Sequence, residues 1–430
     1  MRQIQNDVIA VDDVLARASV RRHDIDWLRT LACYGVLVFH AVMVFGPESF
    51  YHIRNIPVSF KVVVFIRFMA LWYMPLFFVV AGWATFVSLQ ARGTRRFLRE
   101  RVRRLLLPLI VGCVLFGPPI KYFELRSGMD ANYLGLRVSA ELQESFKPFV
   151  YGDIPLAAPF NESFSEFWPT YFTRFERFTW SHLWFLAYLL VFTVLYLPLF
   201  LWLMKRRRGP TRESAVWAYL PIVPLAVVEL ALRPFWPTRW NLYADWANFA
   251  FYSICLVAGF LLARSPVFEQ AVHQEWKRAT GVFLGGSVVW LLSALGVITA
   301  PLLLAVSTAV VGWSMIVVLL GFAHSHLMRT NALLDYLSES AYAVYILHQA
   351  AVVCIGYWII QLPLGMAAKY GLLLAAAGAT TMATYHFIVM PSPVARFALG
   401  MKPGRTGQAV GGGHMLDAPL IVRQATQTEE

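Results

Sequence analysis

Charge is what this sequence has least of. Asp, Glu, Lys and Arg make up 14% of its 430 residues, where a soluble domain carries about one-quarter. With 58% hydrophobic residues and a mean hydropathy of +0.56, the chain lacks the polar surface that a water-soluble body needs. Cysteine is scarce too. Cys33, Cys113, Cys255 and Cys354 all fall inside apolar runs, where they read as small buried hydrophobes and not as a disulfide framework or metal cage. No zinc, phosphate-loop or dinucleotide fingerprint occurs, and no internal repeat of the transporter kind is present. The first 25 residues are polar and mixed in charge, without the apolar stretch of a cleaved signal peptide.

What is abundant is apolar sequence in long blocks. A bilayer core about 30 Å thick needs ~20 apolar residues per helix. Ten runs fit that length: 28–46, 61–89, 103–120, 183–204, 215–233, 244–264, 280–298, 301–323, 341–360 and 366–390. The third is shortened by Pro118–Pro119. The expected fold is all-α, a polytopic membrane protein with about ten transmembrane helices and one long extracytoplasmic loop. Residues 1–27 form a cytoplasmic segment, 28–390 the membrane domain, and the Gly-rich, polar stretch 391–430 a disordered cytoplasmic tail.

The net charge of +12 is explained by topology. Seven arginines lie between Arg92 and Arg104, and further basic groups fall at Lys205–Arg208, around Arg264, Lys277 and Arg278, and at Arg396, Lys402 and Arg405. The positive-inside rule places these loops, and with ten spans both termini, in the cytoplasm. No nucleic-acid partner is required.

One outer loop, 121–181, is long. Its last part places Phe164, Phe167, Trp168, Tyr171, Phe172, Phe175 and Phe178 at helical spacing, with Glu162, Glu166, Glu176 and Arg177 opposite. This is either an amphipathic helix in the membrane interface, broken or started at Pro169, or an aromatic platform for an acceptor such as a sugar. Asn161-Glu162-Ser163 matches a glycosylation sequon, a pattern too short to carry weight.

Ionisable residues inside spans are costly and therefore informative. Arg29 and His40 are eleven residues apart, about 1100° of helix, so they share one face at ~16 Å along the axis. Asp26 lies on nearly the same face, one turn below Arg29. Asp26 and His40 are the catalytic candidates. A neutral imidazole can take a proton from a hydroxyl and return it, while Arg29 at the cytoplasmic rim can hold phosphate or carboxylate. The bland alternative is a packing histidine, with Arg29 marking the inner boundary. Arg95, Arg99 and Arg103 repeat at i, i+4, i+8 and form a ridge if helical. That ridge suits a polyphosphate, or is simply a topogenic basic run. His348, with Tyr345 and Gln349 close by, is a possible accessory group. Arg67 and the Glu229/Arg233 pair lie toward the outer ends of their spans, and His182 lies between Trp180 and Trp184 at an interface. His324-x-His326 points its rings to different sides of a helix, a poor metal site.

These residues carry a resemblance. Asp26-x-x-Arg29 with His40 resembles the first-helix motif of the acyltransferase 3 family, as does Met74-Pro-Leu-Phe-Phe-Val-Val-Ala-Gly82 in the second span. Phe97-Leu-Arg-Glu-Arg-Val-Arg-Arg resembles that family's Arg-x-x-x-Arg element, best matched by Arg99 and Arg103. Ser181-His-Leu-Trp-Phe-Leu186 and Tyr342-Ala-Val-Tyr-Ile-Leu-His-Gln349 resemble further landmarks. The match covers residues 22–390, and the layout is most similar to the family's glucan-modifying branch. Ala81 departs from it, standing where a Ser usually precedes the Gly. The resemblance implies transfer of an acyl group, commonly acetyl or succinyl, from cytoplasmic acyl-CoA to an extracytoplasmic glycan or similar hydroxyl acceptor, in a bacterial inner (plasma) membrane. His40 would be the base, and Arg29, Arg99 and Arg103 would handle the donor. Acyl-CoA is then a substrate, and no bound cofactor or metal is expected. The competing reading is a secondary transporter using His40 as a proton relay.

Overall fold

A computed structural model describes residues 22–46, 51–131, 153–156, 158–206 and 214–402. The described residues are mostly helical. Helix α1 (His23–Met43) is followed by α2 (Phe60–Ala70) and the long α3 (Tyr73–Leu115). After α4 (Gly117–Arg126), β1 (Met129–Ala131) pairs antiparallel with β2 (Asp153–Pro155). Helix α5 (Phe164–Thr173) follows, then a 3₁₀ turn (Ser181–Leu183) running into α6 (Trp184–Leu195) and α7 (Leu197–Lys205). The second half comprises α8 (Val216–Tyr219), α9 (Ile222–Ala231), α10 (Trp246–Arg264), α11 (Pro266–Ala294), α12 (Pro301–His326), α13 (Ala332–Ile359), α14 (Met366–Thr384) and α15 (Pro393–Ala398).

Helices occupy every one of the ten apolar runs, but they differ from ten uniform spans. Six are long and apolar enough to cross a membrane, or seven if the α6–α7 pair, bent by 51°, counts as one. Pro198 in the first turn of α7 accounts for that bend. Helix α9 is short, and the first half of α11 carries Glu269, Glu275, Lys277 and Arg278. The runs 61–89 and 103–120 are joined differently from expectation. Helix α3 continues from one into the other and breaks at Gly93, whose φ of 70° and ψ of 167° are closed to residues with a β-carbon. Its second part ends at Leu115, and Pro118 belongs to the first turn of α4, where a missing N–H is harmless. Large apolar side chains such as Val194, Val223, Leu284, Val288 and Trp358 are more than half exposed, the outward face of a protein solvated by lipid.

Small residues set the central packing. Helices α3 and α10 cross at Gly82 and Gly259, where an added β-carbon would fall 1.9 Å from the Leu256 and Val79 carbonyl oxygens respectively. Backbones approach this closely only without side chains between them. Helix α13 packs along both α1 and α14, and α11 along α12. All four cysteines are free, with Cys33, Cys113 and Cys255 buried.

The first part of the aromatic stretch forms α5, and its start differs from expectation. Pro169 neither breaks nor begins the helix. Ser163 caps it, in a reciprocal box with Glu166. Phe167 and Tyr171 are buried beside Leu125, while Phe164, Trp168 and Phe172 face outward. Tyr171 donates to the carbonyls of Cys113 (3.2 Å) and Thr179 (3.1 Å), and Arg177 grips Glu162 through two 2.6 Å hydrogen bonds. This docks the turn at Ser181 against the membrane helices. The basic residues Arg207 and Arg208, the N-terminal segment before residue 22 and the tail beyond residue 402 lie outside the described residues.

Candidate active site

The histidines converge. His40 on α1 and His348 on α13 meet with Nδ1 and Nε2 2.8 Å apart, their rings stacked at 5.0 Å and 8°. His182, from the turn before α6, lies edge-on to both, 4.9 Å from the His348 ring and 6.3 Å from that of His40. Their hydrogen bonds assign the protons. His348 Nδ1 is 3.0 Å from the Val344 carbonyl, which only an N–H can satisfy. Its Nε2 is therefore an acceptor, and His40 must donate Nδ1–H to it. The lone pair of His40 is left on Nε2. By the same logic His182 donates Nε2–H to the Ile346 carbonyl at 3.2 Å, and its Nδ1 is a buried acceptor without a partner among the described residues. Tyr345, donating to the His182 carbonyl at 2.8 Å, fixes that turn to α13.

His40 and His182 line a cavity of about 730 Å³, a volume suited to a small ligand. On α1 its wall runs from Val36 to Met43. Tyr345 and Gln349 also line it, whereas His348 stands behind His40 and holds its tautomer. Arg67, Glu229 and Arg233 line the far part; Glu229 and Arg233 pair with each other at 2.7 Å.

A second constellation on this cavity was not visible in the sequence. The segment between α1 and α2 dips inward, burying Tyr51, His52 and Ile53 against α4, α13 and α14. Lys369 anchors it by donating to Asn55 Oδ1 at 3.1 Å and to the Ile360 carbonyl at 2.6 Å. His52 Nδ1 contacts the Glu124 carboxylate, and His52 Nε2 is 2.8 Å from Ser181 Oγ. Lys121 contacts both Glu124 and Asp130. These groups lie outside the membrane runs. Burial alone would push the Glu124 carboxyl up, but Lys121 and His52 beside it hold it below its ordinary value of 4.5. The members are 72 and 129 residues apart, so no local spacing could reveal them. The one visible sign was Ser181-His182, noted only as a landmark.

The arginines gather at the opposite, basic end. Arg29 pairs with Asp26 at 3.3 Å and donates to Ser338 Oγ at 2.8 Å. Asp26 thus touches Arg29 and is about 21 Å along α1 from His40; the structure does not bring the two catalytic candidates together. Past Gly93 the chain is helical, so Arg95, Arg99 and Arg103 do form a ridge. Among the described residues neither Arg99 nor Arg103 has an ion-pair partner, whereas Arg101 donates to Thr85 Oγ1 at 2.9 Å and Arg104 pairs with Glu100 at 3.0 Å. Tyr342 donates to the Arg104 carbonyl. Ser338, Tyr342, Tyr345 and His348 follow one face of α13, so this helix connects the arginine end to His40. His324 and His326 do not converge on one ligand. His324 stacks on His273 at 3.7 Å and approaches Asp24 at 3.4 Å, while His326 packs on Phe322. Donor atoms of Asp24, His273 and His324 lie within 4.8 Å of one another, but both Asp24 oxygens already accept from Arg22, at 2.9 and 2.7 Å.

A family model described as an acyltransferase domain matches residues 22–386. The chain belongs to the acyltransferase 3 family. That match favours the acyltransferase reading over the transporter one. Among curated proteins, it is 22% identical over 222 residues to glucans biosynthesis protein C of Salmonella paratyphi B, covering 50% of this chain and 49% of that protein. It is 21% identical over 202 residues to the protein of the same name in Salmonella heidelberg, covering 46% and 44%. The chain thus aligns with about half the length of these relatives. No solved structure matches.

Proposed function

We propose that this acyltransferase moves an acetyl or succinyl group from cytoplasmic acyl-CoA to a hydroxyl of an extracytoplasmic glycan. The carrying observation is the His40 tautomer: its unprotonated Nε2 belongs to a ring lining a cavity of about 730 Å³. A base so placed takes the proton of an incoming hydroxyl as that hydroxyl attacks an acyl carbon. Arg29 on the same helix, ~16 Å away, and Arg99 and Arg103, which have no ion-pair partner among the described residues, would hold the phosphates of the donor. In this reading the arginine end faces the cytoplasm of a bacterial inner membrane, with both termini on that side and ten spans between them. The glucan-associated names of the relatives and the aromatic walls of the cavity support a sugar acceptor.

The test is acyl transfer in vesicles holding the purified full chain. Acetyl-CoA or succinyl-CoA is supplied on one face, β-glucan oligosaccharides on the other. Transfer that vanishes in His40→Ala, with thermal stability retained, supports the role. Undiminished transfer in that variant overturns it.

A further inference from the structure

We propose that Ser181 is a nucleophile, activated by His52 and Glu124, and that the acyl group passes through an ester on Ser181 Oγ. This rests on the acyl-transfer reading above and adds a covalent intermediate to it.

The arrangement has the parts of an activated hydroxyl. In its neutral form His52 donates Nδ1–H to the Glu124 carboxylate and holds the lone pair of Nε2 2.8 Å from Ser181 Oγ. Glu124 and His52 are 0% and 1% exposed, so the contact is shielded from water. Lys121 keeps Glu124 an acceptor. Its one charge is divided between Glu124 and Asp130, and the carboxylate therefore retains capacity to stabilise an imidazolium on His52. Ser181 itself has φ of 47°, a left-handed conformation that is uncommon away from glycine. Such backbone persists only where the surroundings enforce it, and it clusters at functional sites. Here the Thr179 hydroxyl accepts from the Ser181 N–H at 3.0 Å, and Tyr171 holds the Thr179 carbonyl. The strained residue presents its side chain between His52 and the cavity that it lines together with His40.

Two bases on one cavity divide one reaction. In the first half, Ser181 Oγ attacks the thioester carbonyl carbon. A C–O bond forms, the C–S bond breaks, and the Ser181 proton moves to His52 Nε2. The donor leaves as a thiolate, protonated by solvent. In the second half the acceptor hydroxyl attacks the Ser181 ester and gives its proton to His40 Nε2. The ester C–O bond breaks, and Ser181 Oγ recovers the proton from His52. His40 then releases its proton to water. The sum is a thioester and an alcohol giving an ester and a thiol.

This division separates the two variants experimentally. Full-length protein in vesicles is incubated with radiolabelled acetyl-CoA, and separately with succinyl-CoA, without acceptor, then denatured and mapped by mass spectrometry. His40→Ala is expected to accumulate one acyl group on the peptide containing Ser181, released by hydroxylamine. Ser181→Ala and the double variant are expected to carry none, and Ser181→Ala to lose glycan transfer about a hundredfold or more. Ser181→Cys is expected to be labelled as a thioester, which shows that a folded site and not the loss of fold governs labelling. Transfer by the unaltered protein with full activity in Ser181→Ala, or with no label on Ser181 in His40→Ala, overturns the covalent step and leaves the acyl-transfer reading standing. Neither transfer nor label in the unaltered protein, under both donors, overturns the two together.

Discussion

His40 Nδ1 lies 2.8 Å from His348 Nε2, and the Val344 carbonyl behind His348 fixes the direction of that hydrogen bond. A contact on the far side of one ring thereby chooses the reactive nitrogen of another. The principle is familiar from metal-binding histidines, where the partner of one nitrogen sets the tautomer of the other.

Removing His348 should therefore impair the chemistry without touching substrate. In His348→Ala the His40 ring loses its orienting acceptor and samples both tautomers. Transfer is expected to fall by about tenfold to a hundredfold in kcat, within the range of general-base contributions, with the KM for acyl donor nearly unchanged. Steady-state kinetics in vesicles check this. An equal rise in KM would show that His348 shapes donor binding.

The arginine end calls for the opposite split. Arg99 is exposed and has no ion-pair partner among the described residues, whereas on the same helix Arg104 pairs with Glu100 and Arg101 is hydrogen-bonded to Thr85. Loss of one charge-assisted contact of ~1.5–3 kcal/mol corresponds to roughly tenfold or more in donor affinity. Arg99→Ala is expected to raise the KM for acyl-CoA by that factor and leave kcat near its original value. An unchanged KM would reduce the ridge to a topological signal.

How much of this could be read from the chain alone follows from the range of the interactions. Arg29 and His40 share a helix, so a rotation of 100° per residue sufficed to align them. The ridge at Arg95, Arg99 and Arg103 was legible for the same reason. His348 and His182 stand out as residues but not as neighbours of His40, since two separate helices and the turn before α6 bring them together. His52 and Glu124 had no local signature, and Ser181 stood out only within the Ser181–Leu186 landmark. Asp26 shows the reverse failure. Helical periodicity put it on the face of His40, but a shared face does not shorten the ~21 Å of helix between them. Six or seven helices meet the length and apolarity of a span, so the count of ten is not settled by counting apolar runs. Residue 93 is a glycine at positive φ, and one such residue lets a single run of helix serve two predicted spans.

Close backbone crossing makes the scaffold testable without reference to chemistry. At Gly82 a methyl group would meet the Leu256 carbonyl oxygen at 1.9 Å, so α3 and α10 must separate. Gly82→Ala is expected to cost about 1–3 kcal/mol, the usual toll of overpacking, and Gly82→Leu to prevent recovery of folded protein. Melting in detergent measures the first and size-exclusion yield the second. A Gly82→Ala protein as stable as the original would mean that the two helices are not held in contact.

The buried charges around Glu124 impose a pH window. The Glu124 carboxyl is held below its ordinary 4.5, so its stabilising contribution is complete above that value and disappears as pH falls through the folded-state value beneath it. For Lys121, burial pulls the ammonium down, but Glu124 and Asp130 more than offset this and raise it above its ordinary 10.5. Its contribution is complete below 10.5 and fades as pH rises through the higher folded value. The melting temperature should thus be flat between 4.5 and 10.5 as far as this cluster governs it, and should drop on either side. Glu124→Gln strands Lys121 with one carboxylate fewer, so the plateau falls, by about 3–5 kcal/mol if the pair behaves as other broken buried pairs do. The acid limb flattens in the same variant, because the group that titrates there is gone. A variant that kept the full acid limb would assign it to other carboxylates. Glycan transfer by Glu124→Gln should fall further than its stability alone explains, because His52 loses the carboxylate that orients it.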